Sequence, residues 1–193
     1  MIAVFGGAFN PPTLAHYEVA RHVLGAKEVE HLFFIPVGDH YKKAGLVPAP
    51  HRVKMLEILT QDLPGASISK IEIEAGRALK SIETLKRLSL EYPDSELAFV
   101  MGADNLYDLI NWHDYKRLVC EFKMIIINRG TLDVPAFIKD HFEFAVDHFM
   151  IVDSFSKINI SSSAYRTDPT RTNFLLPEVA HYIRENKLYQ HEK

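Results

Sequence analysis

Apolar and polar residues fall along this chain in blocks. Short, nearly continuous apolar runs recur at 1–5, 31–37, 97–101, 124–127 and 149–152. Runs of this length are the mark of strands buried on both faces. Between them apolar residues recur at three- and four-residue spacing. This pattern predicts helices over 14–24, over 52–59 with Val53, Leu56 and Leu59 or Ile58 on one face, and over 81–90 with Ile82, Leu85 and Leu88. Gly25 closes the first helix, and Pro177 opens a last one that reaches about Asn186. A partial alternation over 66–74 predicts one more strand. The stretch 131–148 is the least regular and predicts no element.

Strands alternating with helices imply an α/β fold, Rossmann-like, with a mostly parallel sheet and helices on both faces. The chain reads as one domain over 1–193, with a C-terminal helical segment from about 160. Sheets of this kind bind ligands beyond the carboxyl ends of their strands. Gly6-Gly7, Gly38, Gly102 and Arg129-Gly130 all follow predicted strands and fall at that edge.

Composition narrows the class. The chain has 193 residues, 47% of them hydrophobic, which is enough to bury a core without disulfide or metal staples. A net charge of -3 gives no electrostatic basis for nucleic acid as a partner. The single cysteine, Cys120, excludes an internal disulfide and suits a reducing compartment. Its apolar flanks suggest inert packing. No apolar run approaches the roughly 20 residues that span a bilayer. The first apolar run is short and ends in glycine, unlike a signal sequence. A cytoplasmic protein without membrane partners is expected, and a homo-oligomer is compatible with the sequence. His141, His148, His181 and His191 lack ligand spacing, so no protein metal site is expected. Glu57 and Glu83 read as surface charges.

The chemistry starts at Gly6-Gly7-Ala8-Phe9-Asn10-Pro11-Pro12-Thr13-Leu14-Ala15-His16. A strand stops at two glycines, a turn follows, and Thr13 caps a helix whose third residue is His16. Free N–H groups and a positive helix end then face one point, which makes an anion site. That helix end disfavours an imidazolium, so His16 suits a neutral donor. The loop is neither a Walker phosphate loop nor the dinucleotide Gly-x-Gly-x-x-Gly. Ile160-Ser161-Ser162-Ser163-Ala164-Tyr165-Arg166 forms a second anion site, with serine caps and a guanidinium fork one turn on. The plain alternatives are a strand–turn–helix with a surface histidine and a serine loop with a solvated arginine.

Together these stretches resemble the nucleotidyltransferase superfamily, with its (His/Thr)-x-Gly-His and Ile-Ser-Ser-Thr-x-x-Arg signatures. Met101-Gly102-Ala103-Asp104-Asn105-Leu106, then Trp112-His113, Arg129-Gly130 and the tail from Leu176 to Tyr189 resemble bacterial nicotinate-nucleotide adenylyltransferases. The resemblance runs from Met1 to about Tyr189. It implies transfer of the adenylyl group of ATP to nicotinate mononucleotide, with Mg2+ carried in by ATP. It implies His16, Thr13 and Arg166 as catalytic residues, His16 meeting the α-phosphate. It sets Gly6, Gly7, Ala8, Phe9, Gly102, Asp104, Ile160, Ser161, Ser162 and Arg166 against ATP. Asn10, Lys42, Lys43, Ser81, Thr84, Trp112 and Arg129 are set against the mononucleotide, with Trp112 where a pyridine ring stacks.

The chain departs from the pattern in places. Ala15 replaces the signature glycine, and Asp39-His40-Tyr41-Lys42-Lys43 only loosely matches Pro-Pro-His-Lys. Leu79-Lys80-Ser81-Ile82-Glu83-Thr84-Leu85 stands where the family has Ser-Tyr-Thr-x-Asp-Thr-Leu, so Lys80 replaces an aromatic residue in the stretch that recognises the nicotinate carboxylate. The alternatives are a nicotinamide mononucleotide adenylyltransferase, a pantetheine-phosphate adenylyltransferase and a non-catalytic nucleotide-binding module. The Trp112 region and the tail oppose the second, and His16 with Arg166 opposes the third.

Overall fold

The computed structural model describes residues 1–128, 133–152 and 160–190. In chain order the first half runs β1 (Ile2–Gly7), α1 (Leu14–Leu24), β2 (His31–Pro36), α2 (Ala49–Thr60), β3 (Ala66–Ile68) and α3 (Ser81–Glu91). The second half runs β4 (Leu97–Gly102), α4 (Ala103–Asp108), α5 (Tyr115–Glu121), β5 (Lys123–Ile127), α6 (Val134–Phe142), β6 (Phe149–Val152), α7 (Ser162–Thr167) and α8 (Pro177–Glu185). Among the described residues, six strands form one sheet in the order β3-β2-β1-β4-β5-β6. All five pairings are parallel.

The period of two along β1 explains why the sheet is covered on both sides. Ile2 and Val4 enter one apolar cluster with α3, α5 and α6, while Ala3 and Phe5 enter another with α1 and α2. A third cluster joins Met55 of α2 to Tyr165, Leu175, Val179 and Ile183, so the C-terminal segment packs on α2.

Three expectations need correction. The strand expected over 66–74 stops at Ile68. Ser69 still donates to the Phe34 carbonyl at 3.0 Å, but the Glu74 N–H turns back to Lys70 at 2.9 Å. β3 has only β2 beside it. Beyond Ile68, exposed Lys70 and Glu74 favour a solvated turn over an edge strand. The stretch 131–148, read as irregular, contains α6 and a 3-10 turn over Glu143–His148. Asp133 caps α6 by accepting from the Ala136 N–H at 3.0 Å, and Val134, Ile138 and Phe142 bury one stripe. Cys120, expected in packing, is exposed on α5.

Close approach matters at two glycines. A Cβ on Gly38, just after β2, would sit 2.6 Å from the Glu72 carbonyl oxygen. A Cβ on Gly7 would sit 3.1 Å from the Phe9 ring, which folds back over the end of β1. Phe9 makes that turn with φ 46, in the left-handed region. Its ring packs against Phe5, Phe34 and His16 with centroids 5.2–5.5 Å apart.

Candidate active site

The carboxyl end of β1 delivers the chain to the N-terminus of α1, as its glycines and Thr13 predict. Thr13 is fully buried and is the N-cap. Its contacts brace His16: the Thr13 N–H donates to His16 Nδ1 at 2.9 Å, and Thr13 Oγ1 lies 2.8 Å from the same nitrogen. A ring nitrogen that accepts a backbone N–H carries no proton, so the imidazole proton sits on Nε2. With Nδ1 accepting, Nε2 is the ring nitrogen placed to donate.

Two cavities meet at His16. The first, about 230 Å³, is lined by Ala8, Phe9, Asn10, Ala15, His16, Lys43, Ile160, Ser161, Ser162, Ser163 and Arg166. The second, about 200 Å³, is lined by Phe5, Gly6, His16, Phe99, Val100, Met101, Gly102, Asp104, Asn105 and Trp112. The two anion elements read from the sequence therefore form one pocket. Ser162 Oγ donates to the Pro11 carbonyl at 2.8 Å, and Arg166 Nη1 donates to the Asn10 carbonyl at 2.7 Å. Ser161 caps α7 by accepting from the Ala164 N–H at 3.1 Å. Lys43 adds a second cation to the wall. In the other cavity Gly102 ends β4, Asp104 is exposed in the first turn of α4, and half-buried Trp112 meets Phe99 edge-on at 6.1 Å.

Several expected residues are engaged within the fold or stand elsewhere, and Asn10, although on the wall of the first cavity, is one of those engaged. Asn10 is fully buried, and its amide is held by Gly45, Val47 and Tyr189. Thr84 is buried on α3 and donates to Glu72 Oε1 at 2.7 Å, so its hydroxyl is engaged within the fold. Burial raises the Glu72 carboxyl above its ordinary range, and the Thr84 bond opposes that rise. Lys42 is exposed, Ser81 is half-buried at the start of α3, and Lys80 is the exposed N-cap of that helix. Glu83, read as a plain surface charge, closes the α3 cap. It accepts from the Lys80 N–H at 2.8 Å and from Arg77 at 3.1 Å. The Arg77 bonds come first and the Lys80 N–H second in holding its carboxyl down to about 2. Arg129 lies outside the described residues.

Sequence reasoning missed Arg52, the largest fully buried side chain. It donates to the Val47 carbonyl at 2.7 Å, the Ala8 carbonyl at 3.2 Å and Asp39 Oδ1 at 2.9 Å. It thus ties the glycine loop to the loop that carries Lys43. The available signal was an arginine on the apolar stripe of α2, in line with Leu56 and Leu59.

A parallel sheet with an anion pocket and a second cavity sharing one histidine at its carboxyl edge defines a Rossmann-like nucleotidyltransferase site. The cytidylyltransferase-like family model matches residues 4–168. The Acholeplasma laidlawii protein named "Probable nicotinate-nucleotide adenylyltransferase" is 33% identical over 100% of both chains. The Carboxydothermus hydrogenoformans protein of the same name is 30% identical over 98% of each. The solved Plasmodium falciparum nicotinic acid mononucleotide adenylyltransferase complexed with NaAD has the same fold. It superposes with a TM-score of 0.80 at 22% identity, covering 97% of this chain and 96% of that one. The chain belongs to the cytidylyltransferase-like family and, within it, to the nicotinate-nucleotide adenylyltransferases.

Proposed function

We propose that this chain transfers the adenylyl group of ATP to nicotinate mononucleotide, giving deamido-NAD and pyrophosphate. The observation that carries the reading is His16 standing between an anion-lined pocket and a cavity walled by Gly102, Asp104 and Trp112. The mononucleotide phosphate attacks the α-phosphorus, the bond to the β-phosphate oxygen breaks, and pyrophosphate leaves. No covalent enzyme intermediate forms. Ser161, Ser162 and Arg166 hold the distal phosphates and keep them in line, and Lys43, which the resemblance sets against the mononucleotide, is taken with them because it lines the same cavity. His16 Nε2–H donates to the α-phosphate oxygen on which charge accumulates, a fixed dipole that needs no reorganisation. Trp112 offers a ring face for the pyridine base.

Among the described residues no group of three or more His, Cys, Asp or Glu is placed to hold a metal ion. In this reading Mg2+ arrives with ATP, bound to phosphate oxygens and water. Among the described residues no helix is long and apolar enough to cross a membrane.

The test is pyrophosphate release with ATP and either mononucleotide in one buffer. Turnover with the nicotinate form, at higher kcat/KM than with the nicotinamide form, is the expected result. The engaged Thr84 hydroxyl and exposed Lys80 make the expected margin narrower than a full carboxylate-recognition stretch would give. A clear preference for the amide overturns the substrate assignment, and no release with either overturns the activity.

A further inference from the structure

Asn10 is the joint at which remote parts of the chain reach the anion pocket. Its side-chain amide donates to the Gly45 carbonyl at 2.7 Å and accepts from the Val47 N–H at 3.1 Å. The same amide oxygen accepts from the Tyr189 hydroxyl at 2.8 Å. Its main-chain carbonyl accepts from Arg166 Nη1 at 2.7 Å. One buried residue therefore fastens both cations of the pocket: Arg166 directly, and Lys43 through the loop that holds Gly45 and Val47. We propose that Tyr189 is a positioning residue for the phosphate pocket, its hydroxyl fixing Asn10 and through it the placement of Arg166 and Lys43. The inference rests on reading that pocket as the ATP phosphate site.

The path of the tail fits this role. Lys187 and Tyr189 both adopt left-handed backbone, with φ 52 and 57, a conformation that non-glycine residues keep only when their surroundings impose it. The Leu188 N–H turns back to the Ile183 carbonyl at 3.0 Å, which swings the next side chain inward. Burial raises the Tyr189 phenol far above its ordinary range, so it remains a donor. Its ring packs edge-on against Tyr165 at 5.9 Å, a contact that phenylalanine would keep.

Tyr189→Phe thus removes one donor and little else. Two measurements decide the matter: inorganic pyrophosphate binding by calorimetry and steady-state kinetics. The expected result is a pyrophosphate affinity weakened roughly 2–10-fold, the scale of one lost hydrogen bond, with a parallel rise in the ATP KM. The kcat at saturation should stay within about twofold. In an Asn10→Ala background the same change should add nothing, because the two residues act as one unit. Unchanged affinity and KM, a fall in kcat with KM unchanged, or an equal effect in the Asn10→Ala background each overturns the proposal. Should Asn10→Ala fail to fold, the comparison of Tyr189→Phe with the parent decides alone. A parent that binds pyrophosphate but releases none from ATP with either mononucleotide overturns the proposed reaction. The binding comparison still judges Tyr189.

Discussion

At the scale of single residues, chemistry depends on one proton being in the right place. Thr13 holds His16 Nδ1 as an acceptor, which commits Nε2 to donation. Replacing His16 by alanine should lower kcat by roughly 10²–10³, about 2.7–4 kcal/mol, the scale for one oriented donor, with a smaller change in ATP KM. Steady-state pyrophosphate release reads both; full turnover in the variant removes the role. The loop-to-helix patterns that carry His16, Ser161, Ser162 and Arg166 were legible in the sequence because each is local, and the fold brings them to one cavity wall. Arg52, Asn10 and Tyr189 owe their roles to partners far along the chain, and no local pattern reports such pairing. Thr84 illustrates the converse: a residue set by resemblance against the ligand has its hydroxyl on Glu72 instead.

At the scale of elements, the cap of α3 is an electrostatic device at the head of a helix. The Glu83 carboxyl sits at about 2, below the range of an unfolded glutamate. A depressed carboxylate stabilises the fold above the unfolded value, and that contribution fades as pH falls toward the folded one. The pair is largely exposed, so its effect is modest and weakened by salt. Glu83→Gln should lower the unfolding temperature slightly near neutral pH. The gap from the parent should narrow below about pH 4 and vanish near about 2. A gap independent of pH in calorimetric scans would show that shape, not charge, makes the cap. Element positions were read well where long apolar periods set them, as in α1 and β4. α6 escaped because its signals, the Asp133 cap and one apolar stripe, are weak beside the surrounding polar residues. β3 was overread because alternation was taken for pairing, whereas a strand also needs a neighbour to receive its hydrogen bonds.

At the scale of the whole molecule, the two cavities meeting at His16 assign different tasks to different parts of the sheet. The β1 loop and α7 form the anion pocket, and the end of β4 with Trp112 forms the other side. Trp112 is the only tryptophan, so its emission reports on that second cavity directly. Adding the mononucleotide should quench it, and Trp112→Ala should raise the mononucleotide KM more than that of ATP. Unaltered emission together with unaltered KM would make the residue structural.

The sheet order sets a timetable for synthesis. Of the sheet's strands β1 is made before the others, yet it ends in the middle of the sheet between β2 and β4. Its pairing with β4 starts at Leu97. Until that residue has been made, the strand that ends in the glycine loop has one open flank, and parallel pairing cannot close it by a tight turn. A nascent chain halted there would display an unpaired apolar strand edge to solvent and to other nascent chains. Exposure to aggregation during translation should therefore peak before β4 emerges and fall once it docks.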